Sequence, residues 1–575
     1  MSSAILLVLR RLRPPLIVLI SAYAIAVVGF TLMPGVDDAG NPWRMGFFEA
    51  FYVVSYTGST IGFGEVPYEF SGAQRLWTIV SIYLTVIAWL YSVGTIISLI
   101  QDQTFRAALT RSQLNRSVQS LTEPFWLVCG FGDTGRLLVR ALTERRRRVV
   151  VVDDLQSRID DLNLRELGVH VPAFCTDARI PDNLQAAGLG HRWCMGVLAV
   201  TDDDHVNLKI AISSKLLSAG LPVLCRAERQ ETAANMASFG TDVIINAYAA
   251  FADRLALAIR APDTHRVYDW LSGIPHTTLA EHPSPPAGTW IICGYGRLGH
   301  AVREALESVG VETVIIDETP ERNGCPPGSV KGKGTEANTL RAAGIDQATA
   351  LLAGTADDAD NLSIIMTARD IKPDLYLVAR ENALGNKALF QAARPELLVK
   401  PSYIIASKAL SVLNAPLLGS FLDQARAQSN AWNADLAERI AAVSSGKTPE
   451  CWTVRISAAR TPSVVDALED GNAVTVGDIC RDPRRRDQAL DMVPLMLQRE
   501  DDSHLLPTAD TSLESGDRLV FCGTEKALGL MRGVVRNPNT LRYVMTGEMR
   551  PEGWLWRRLT PSRIRARPMA SQREQ

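Results

Sequence analysis

The chain has 575 residues, of which 47% are hydrophobic and 21% are charged, and its formal net charge is −2. That length allows several domains, and the near-neutral charge argues against a protein that binds nucleic acid. Its nine cysteines occur singly, without a Cys-x-x-Cys pair, which indicates reduced and mostly buried thiols rather than a disulfide framework or a structural zinc site.

Two long hydrophobic runs lie within the first hundred residues, at 16–33 and 76–100, and neither contains a charged residue. Runs of this length predict two membrane helices. Arginines precede the first run and follow the second. Because positive charge favours the cytoplasmic side, this predicts that both termini are cytoplasmic. The protein would then be a multi-pass protein of the plasma membrane, in contact with lipid. A cleaved signal peptide is the alternative for the first run. The flanking arginines are Arg10, Arg11, Arg13, Arg106, Arg111 and Arg116.

An uncharged segment between the two runs has the composition of an ion filter: Thr60, Ile61, Gly62, Phe63 and Gly64. In four chains, this backbone would surround a dehydrated cation with carbonyl oxygens, because glycines let successive carbonyls point inward. The segment resembles the Thr-Val-Gly-Tyr-Gly signature of potassium channels, which implies K⁺ as that cation. A strand followed by a turn is the alternative. The tyrosine hydroxyl of that signature often tethers the filter, so Phe63 leaves selectivity for potassium over sodium open.

Two features near this segment fit a pore. Residues 45–58 predict a short helix that enters the membrane and directs the negative end of its dipole toward the pore axis. Gly94, in the lower half of the second run, is the predicted gating hinge, because a residue without a Cβ eases bending. Close packing against a neighbouring helix is the alternative role for Gly94.

A different pattern follows a polar connector. Strand-like residues 125–129 lead into Gly130, Gly132 and Gly135, and a second strand ends on Asp153. This is the dinucleotide-binding fingerprint, in which the glycines allow a tight turn and close approach of phosphate, and the acid binds ribose hydroxyls. The sequence therefore predicts a Rossmann-like unit at this point.

The same arrangement recurs 164 residues further along the chain. Gly294, Gly296 and Gly299 follow another apolar run, and Asp317 takes the place of the acid. Two homologous α/β units in tandem are the economical explanation of this repeat.

Both units resemble RCK domains, the regulators of potassium conductance that form cytoplasmic gating rings of prokaryotic potassium channels. Helical residues 250–271 and 402–442 match the dimerising crossover of that family, and the strand-like stretch 451–523 matches its carboxy-terminal subdomain. The resemblance implies a homotetramer in which the RCK units are paired in a ring.

The predicted fold is an α-helical two-span membrane pore domain followed by two tandem α/β Rossmann-like RCK units with an α+β carboxy-terminal subdomain. The predicted boundaries are a pore domain at 1–103, a linker at 104–122, a first RCK unit with its crossover helices at 123–272, a second at 288–450, the carboxy-terminal subdomain at 451–530 and a basic tail at 531–575.

The resemblance implies a nucleotide as the regulatory ligand. NAD(H) or an adenosine nucleotide is favoured, because Asp153 and Asp317 can accept both ribose hydroxyls and would repel a 2′-phosphate. Arg226 and Arg380 end strands where RCK proteins bring an arginine toward the phosphates, and a salt bridge is the alternative role for both. We expect Asp317 to face the crevice, so that Asp317→Ala leaves the fold intact and weakens binding about ten- to a hundredfold.

The two glycine loops differ in charge beside the predicted phosphate position. Asp133 in the first loop would repel phosphate, whereas Arg297 in the second would attract it, so the first loop is the less certain binder. Calcium is a possible second ligand, with Asp203 and Glu228 as the candidate ligands, because some RCK channels bind it with carboxylates from these two regions of the unit. The resemblance departs at Arg226, which takes the place of one of the calcium-binding acids. Capping of a helix is the alternative role for the aspartate.

The sequence contains no recognisable catalytic motif, so we expect no enzymatic activity. The predicted function is a ligand-gated potassium channel, in which nucleotide or ion binding to a cytoplasmic RCK ring opens or closes a tetrameric pore. The alternative is a non-conducting, membrane-tethered regulatory protein that senses nucleotide or redox state.

Overall fold

The computed structural model describes residues 3–101, 114–273 and 283–548. The chain folds as two compact bodies. The first consists of the residues up to 124 together with the segments 172–175 and 182–193, and the second contains the remaining residues. Arg106, Arg111 and the tail from 549 lie outside the described residues.

The first body contains two helices that are long and apolar enough to cross a membrane, with apolar spans at Leu12–Leu32 and Gly72–Ser98. This confirms the two predicted spans. Each begins four residues earlier than predicted, because the helix continues into polar residues beyond the apolar run. The elements are α1 (Ser3–Leu32), β1 (Pro34–Val36), β2 (Pro42–Arg44), the short helix α2 (Phe47–Gly58) and α3 (Gly72–Gln101).

Helices α1 and α3 pack closely because a glycine faces a tryptophan. The indole N–H of Trp77 donates to the carbonyl of Ala26 over 3.0 Å. A Cβ on Gly29 would lie 1.9 Å from the Trp77 ring, so only glycine fits there. The outer surfaces of both helices expose large apolar side chains, as expected for contact with lipid or other chains. These include Leu16, Ile17, Ile20, Leu76, Tyr83 and Ile87.

The first α/β unit begins with an apolar strand of the kind that is buried on both faces of a parallel sheet. Five of its strands are parallel neighbours in the order β4-β3-β6-β7-β8, so the order reverses between β3 and β6. The elements are β3 (Phe125–Cys129), α4 (Asp133–Glu144), β4 (Arg148–Asp153), α5 (Gln156–Leu164), β5 (Ala173–Cys175), α6 (Pro181–Ala186), β6 (Cys194–Ala199), α7 (Asp204–Leu217), β7 (Val223–Arg226), α8 (Gln230–Ser238), β8 (Val243–Ile245), α9 (Ala247–Arg260) and α10 (Pro262–Ser272).

The second α/β unit repeats this topology, which confirms the predicted tandem. Its parallel sheet has the order β11-β10-β9-β12-β13-β14. The elements are β9 (Trp290–Cys293), α11 (Arg297–Ser308), β10 (Thr313–Asp317), α12 (Pro320–Asn323), β11 (Val330–Lys331), α13 (Ala337–Ala342), β12 (Ala350–Ala353), α14 (Asp358–Ile371), β13 (Tyr376–Arg380), a 3₁₀ turn (Leu384–Asn386), α15 (Lys387–Ala393), β14 (Leu397–Val399), α16 (Pro401–Asn414), α17 (Leu418–Arg426) and α18 (Asn430–Ser444).

The two α/β units exchange their crossover helices within the one chain. Helix α9, which follows the first sheet, packs against α11, the glycine-loop helix of the second unit. Helix α16, which follows the second sheet, packs in the same way against α4 of the first unit. Each glycine loop therefore lies beside the crevice of the other unit.

The carboxy-terminal subdomain is an antiparallel sheet, in the order β15-β20-β18-β19, covered by helices. The predicted boundary at 530 falls inside α21, and Leu541 and Val544 of α22 are buried, so the beginning of the predicted tail belongs to this subdomain. The elements are β15 (Glu450–Arg455), α19 (Pro462–Glu469), α20 (Val476–Ile479), β16 (Arg481–Asp482), β17 (Arg485–Ala489), β18 (Met492–Arg499), β19 (Asp502–Leu505), β20 (Arg518–Gly523), α21 (Glu525–Arg536) and α22 (Pro538–Thr546).

The cysteines are mostly buried and form no disulfide, as predicted. Burial raises the pKa of the Cys225 thiol to about 12 and that of Cys194 to about 11. Cys175 is exposed, and Cys325 and Cys480 are partly exposed.

Candidate functional site

The predicted filter segment has an alternating backbone. Thr60, Gly62 and Gly64 have φ angles of +62°, +64° and +96°, in the left-handed region. The N–H groups of Ile61 and Gly62 donate back to the carbonyl of Tyr56. Within the described part of the chain, no donor reaches the carbonyl oxygens of residues 60–63. These acceptors are therefore available to a cation, as a carbonyl filter requires.

The helix before this segment supplies the tether that Phe63 cannot. The Tyr56 hydroxyl donates to the carbonyl of Gly64 over 2.6 Å. The Phe63 ring packs against Tyr56 with centroids 5.7 Å apart and against Tyr52 at 6.4 Å. The hydroxyl that the potassium-channel signature places in the filter is thus present on the preceding helix, α2.

We expect Tyr56→Phe to lower the permeability ratio of potassium to sodium about two- to tenfold, since one hydrogen bond that holds the filter is worth about 0.5–1.5 kcal/mol. The measurement is the reversal potential under bi-ionic conditions in planar bilayers. Tyr52→Phe is the matched control, because it lies on the same helix and its hydroxyl holds no part of the filter among the described residues. A conducting Tyr56→Phe channel with an unchanged ratio would rule out the tether.

Gly94 lies inside the uninterrupted helix α3. A Cβ at this position would meet no atom of the described residues within 4 Å. Packing against another helix of the same chain therefore does not explain the glycine, and its role as a gating hinge remains a prediction.

The glycine loops have the packing that the fingerprint implies. A Cβ on Gly135 would lie 2.0 Å from the carbonyl oxygen of Gly130, and one on Gly299 would lie 2.3 Å from that of Gly294. These glycines let the helix approach the strand. A Cβ on Gly296 would meet no atom within 4 Å in the part of the chain that the structure describes, so the backbone there is open to a ligand.

The two predicted ribose acids are turned inward, contrary to expectation. Asp317 is 6% exposed and accepts hydrogen bonds from the N–H groups of Tyr295 and Thr319 and from the amide of Asn323. A buried acid that satisfies loop donors stabilises the loop, so Asp317→Ala should also destabilise the second unit. The expectation that Asp317 faces the crevice is therefore wrong, and the effect of Asp317→Ala on the fold stays a prediction, now in the opposite direction.

Asp153 has the same role in the first unit. Its carboxylate accepts from the N–H groups of Phe131 and Leu155 and from Arg158. Ribose hydroxyls would have to share both acids with these donors, because a carboxylate has about four lone-pair sites.

A cavity of about 430 Å³ lies at the first glycine loop, near the carboxyl end of the first sheet. Its lining includes five arginines and three acidic residues, so the lining has an excess of positive charge. Both α/β units contribute side chains. The lining residues are Gly132, Asp133, Arg136, Arg158, Asp202, Arg226, Glu228, Tyr248, Arg297, Arg380, Asn382, Pro401 and Ser402.

The predicted phosphate arginines meet in this cavity. Arg226 pairs with Asp202 over 2.6 Å and with Glu228. Burial disfavours the charge of Arg226, yet Glu228 and Asp202 raise its pKa above the usual value. Arg380 donates to the Tyr248 hydroxyl over 2.7 Å, and burial raises the pKa of that tyrosine.

Three of the arginines that line the cavity have a buried Nε–H without a hydrogen-bond partner among the described residues: Arg136, Arg226 and Arg380. The Nε of Arg136 has the Asp161 carboxylate 3.2 Å away, whereas the Nε–H groups of Arg226 and Arg380 remain unpartnered. Buried polar groups are normally hydrogen-bonded, and a ligand would reach these shielded nitrogens only after the arginine side chains moved. The lining carries five guanidinium groups against three carboxylates, which suits an anion. The arginines therefore fit a phosphate group.

Arg297 and Asp133 each contact the opposite unit, which corrects the expectation about charge at the two loops. Arg297 pairs with Glu228 of the first unit rather than attracting phosphate to its own loop. The carboxylate of Asp133 accepts from the N–H of Leu384 in the second unit over 3.2 Å. The reciprocal packing of the crossover helices brings about this exchange.

The predicted calcium ligands do not come together. Asp203 caps α7 by accepting from the N–H groups of His205 and Val206, and Glu228 is paired with two arginines. Among the described residues, no three His, Cys, Asp or Glu side chains form a group suited to a metal ion. The calcium prediction is therefore corrected, because guanidinium groups occupy the carboxylate that a cation would need.

Sequence reasoning missed Tyr56 and Tyr248. A comparison of the two repeats contains a signal for Tyr248. Strands β8 and β14 correspond, so the position of Tyr248 is taken by Ser402 in the second unit. Because the bulky aromatic residue occurs in the first copy and not in the second, it indicates a role that is specific to the first unit.

The model of the TrkA-N domain matches residues 126–247 and again residues 290–401. Both α/β units are TrkA-N domains. The chain is also homologous over part of its length to prokaryotic potassium channel proteins. Potassium channel protein 1 of Methanocaldococcus jannaschii is 25% identical over 203 residues, which are 35% of this chain and 59% of that protein.

Other relatives match over shorter stretches. The voltage-gated potassium channel Kch of Escherichia coli is 26% identical over 133 residues, 22% of this chain and 32% of its own length. The Trk system potassium uptake protein TrkA of Streptomyces coelicolor is 37% identical over 86 residues, 14% of this chain and 39% of its own. The chain therefore spans less than two thirds of the length of these relatives.

Among solved structures, the GsuK channel is 18% identical, with a TM-score of 0.46, and the match covers 94% of this chain and 100% of that one. The GsuK channel bound to NAD is 17% identical, with a TM-score of 0.42, and the match covers 92% of this chain and 99% of that one.

Proposed function

We propose that this chain is the subunit of a homotetrameric potassium channel of the plasma membrane, gated by a nucleotide that binds its TrkA-N units. Four chains would place four filter segments around one axis and arrange their paired TrkA-N units as a ring on the cytoplasmic side, where both termini would lie. Helix α3 of each chain would form the gate.

The pore segment carries this proposal. Three alternating left-handed residues leave a row of carbonyl oxygens without donors from the described chain, directly after a short helix and between two apolar spans. A soluble TrkA-N protein that only senses nucleotide would have no use for such a segment. Potassium, whose hydration shell carbonyls can replace, is the ion that this arrangement favours.

The arginine-lined cavity supports a nucleotide as the regulatory ligand. Its excess positive charge fits the phosphates of NAD(H) or an adenosine nucleotide. Asp153 and Asp317 would repel an additional 2′-phosphate. The ligand would shift the equilibrium between the open and closed channel by no more than the difference between its binding free energies for the two states of the ring.

Flux measurements test the proposal. Purified full-length protein is reconstituted into potassium-loaded liposomes, and efflux is recorded with no ligand, with ADP and with NAD. We expect flux that is selective for potassium and changes with at least one of the two ligands. A folded tetramer that conducts under none of these conditions would contradict the channel and favour the membrane-tethered, non-conducting sensor.

A further inference from the structure

One carboxylate joins the two TrkA-N units at the cavity. Glu228 lies two residues beyond the end of β7, and its side chain is 8% exposed. Its Oε1 accepts from Arg226 of the first unit, and its Oε2 pairs with Arg297 at the start of α11 in the second. The carboxylate therefore bridges two guanidinium groups that come from different units.

We propose that Glu228 is an internal substitute for a nucleotide phosphate, and that a ligand with a diphosphate group displaces it from the two arginines. This inference rests on the proposed nucleotide site and specifies how that site is occupied without ligand. A carboxylate and a phosphate present similar pairs of oxygens to a guanidinium fork. Two anions cannot occupy the same donors, so the ligand and Glu228 compete.

A diphosphate can replace the carboxylate because it satisfies more donors. Glu228 carries one negative charge and leaves the Nε–H of Arg226 without a partner among the described residues. A diphosphate group carries at least two negative charges and at least four non-bridging oxygens, so it can pair with more guanidinium N–H groups than one carboxylate can. Arg380, held over the Tyr248 ring at 4.9 Å with its own unpartnered Nε–H, is a second donor for the same ligand.

The repeat shows that the fold does not require an acid here. The residue two positions after the strand-ending arginine is Glu228 in the first unit and Asn382 in the second. The position of Arg297 in the second loop is taken by Asp133 in the first. The carboxylate that bridges two arginines therefore occurs at the end of β7 in the first unit only. At the matching position of the second unit, the amide of Asn382 is compatible with the same local structure.

The test is titration of the full-length protein in detergent with ADP and with inorganic pyrophosphate, by calorimetry. We expect Glu228→Gln to bind both probes at least about tenfold more tightly, because a competitor held by two charge-assisted hydrogen bonds has lost its charge. Arg297→Gln in the Glu228→Gln background should abolish this gain.

Asp202→Asn is the matched control. It removes the same charge from the same cavity and also frees Arg226, but the Asp202 side chain is 66% exposed. Solvent screens such a pair, so we expect a gain of less than about threefold. If Glu228→Gln fails to give a monodisperse tetramer, Glu228→Asn, with the amide found at the matching position, is measured in its place.

Unchanged or weaker binding to Glu228→Gln would overturn the inference, as would equal gains from Glu228→Gln and Asp202→Asn, which would indicate an effect of net charge only. Binding to Glu228→Gln by a probe that the wild type does not bind would support it. If neither protein binds ADP or pyrophosphate, the inference fails, whereas the proposed channel is judged separately by potassium flux of the wild type.

Discussion

Gly62→Asp should reduce potassium flux through the reconstituted protein to the level of empty liposomes. Gly62 has a φ of +64°, and a Cβ there would meet no atom within 4 Å among the described residues. The added carboxylate would therefore project into the proposed ion path without obstructing the fold of the subunit. A side chain in the path, with the strain of a left-handed residue, would disrupt the row of carbonyls.

The matched control is Gly40→Asp. Gly40 also has a positive φ, of +82°, and open space around its Cβ position, but it lies in the turn between β1 and β2. We expect this variant to conduct like the wild type. Gel filtration and ADP titration check that both variants keep the oligomeric state of the wild type and folded TrkA-N units. Potassium current through Gly62→Asp would contradict the assignment of the filter.

Gly299→Ala should strongly destabilise the second TrkA-N unit. The new methyl carbon would lie 2.3 Å from the Gly294 carbonyl oxygen, which belongs to the backbone of the loop and cannot turn away like a flexible side chain. Overpacking usually costs about 1–3 kcal/mol, and a clash between backbone and Cβ falls at or above that range. Hydrogen–deuterium exchange of the full-length protein should show faster exchange in β9 and α11.

Gly296→Ala separates this packing effect from ligand binding. Gly296 has φ −82° and ψ −161°, which alanine adopts readily, and the space beside it is open. We expect a loss of stability below about 1 kcal/mol, as for an exchange of small residues at a helix N-cap. Equal loss of protection in both variants, or none in Gly299→Ala, would contradict the packing role assigned to the third glycine.

The elements of this protein could be predicted from sequence because each depends on neighbours in the chain. The two apolar runs form the two long helices, and Gly62 and Gly64 of the predicted filter have left-handed φ angles. The glycine motif and its acid occur twice, which predicted the tandem units. The motif could be recognised because its glycines and acid lie close together in the chain, within a strand, loop, helix and second strand. The TrkA-N matches at residues 126–247 and 290–401 confirm that part of the prediction.

Side-chain partners were predicted less well where the partner lies on a different element. Asp317 was expected to face the crevice, but the loop of Tyr295 supplies donors that hold it inside. The calcium prediction failed because Arg297, from the other unit, pairs with Glu228. The charges of Asp133 and Arg297 could not show that the partner of each lies in the opposite unit.

The sequence by itself determined the order of the elements, the two apolar helices, the left-handed glycines of the segment between them and the duplicated Rossmann-like unit, because hydrophobic periodicity and glycine conformation are local properties. The tertiary structure alone decided which groups meet. Exchange of helices α9 and α16 between the units brings Arg297 to Glu228 and Asp133 to the backbone of Leu384. Such contacts depend on how distant helices pack, and no spacing within either repeat encodes them.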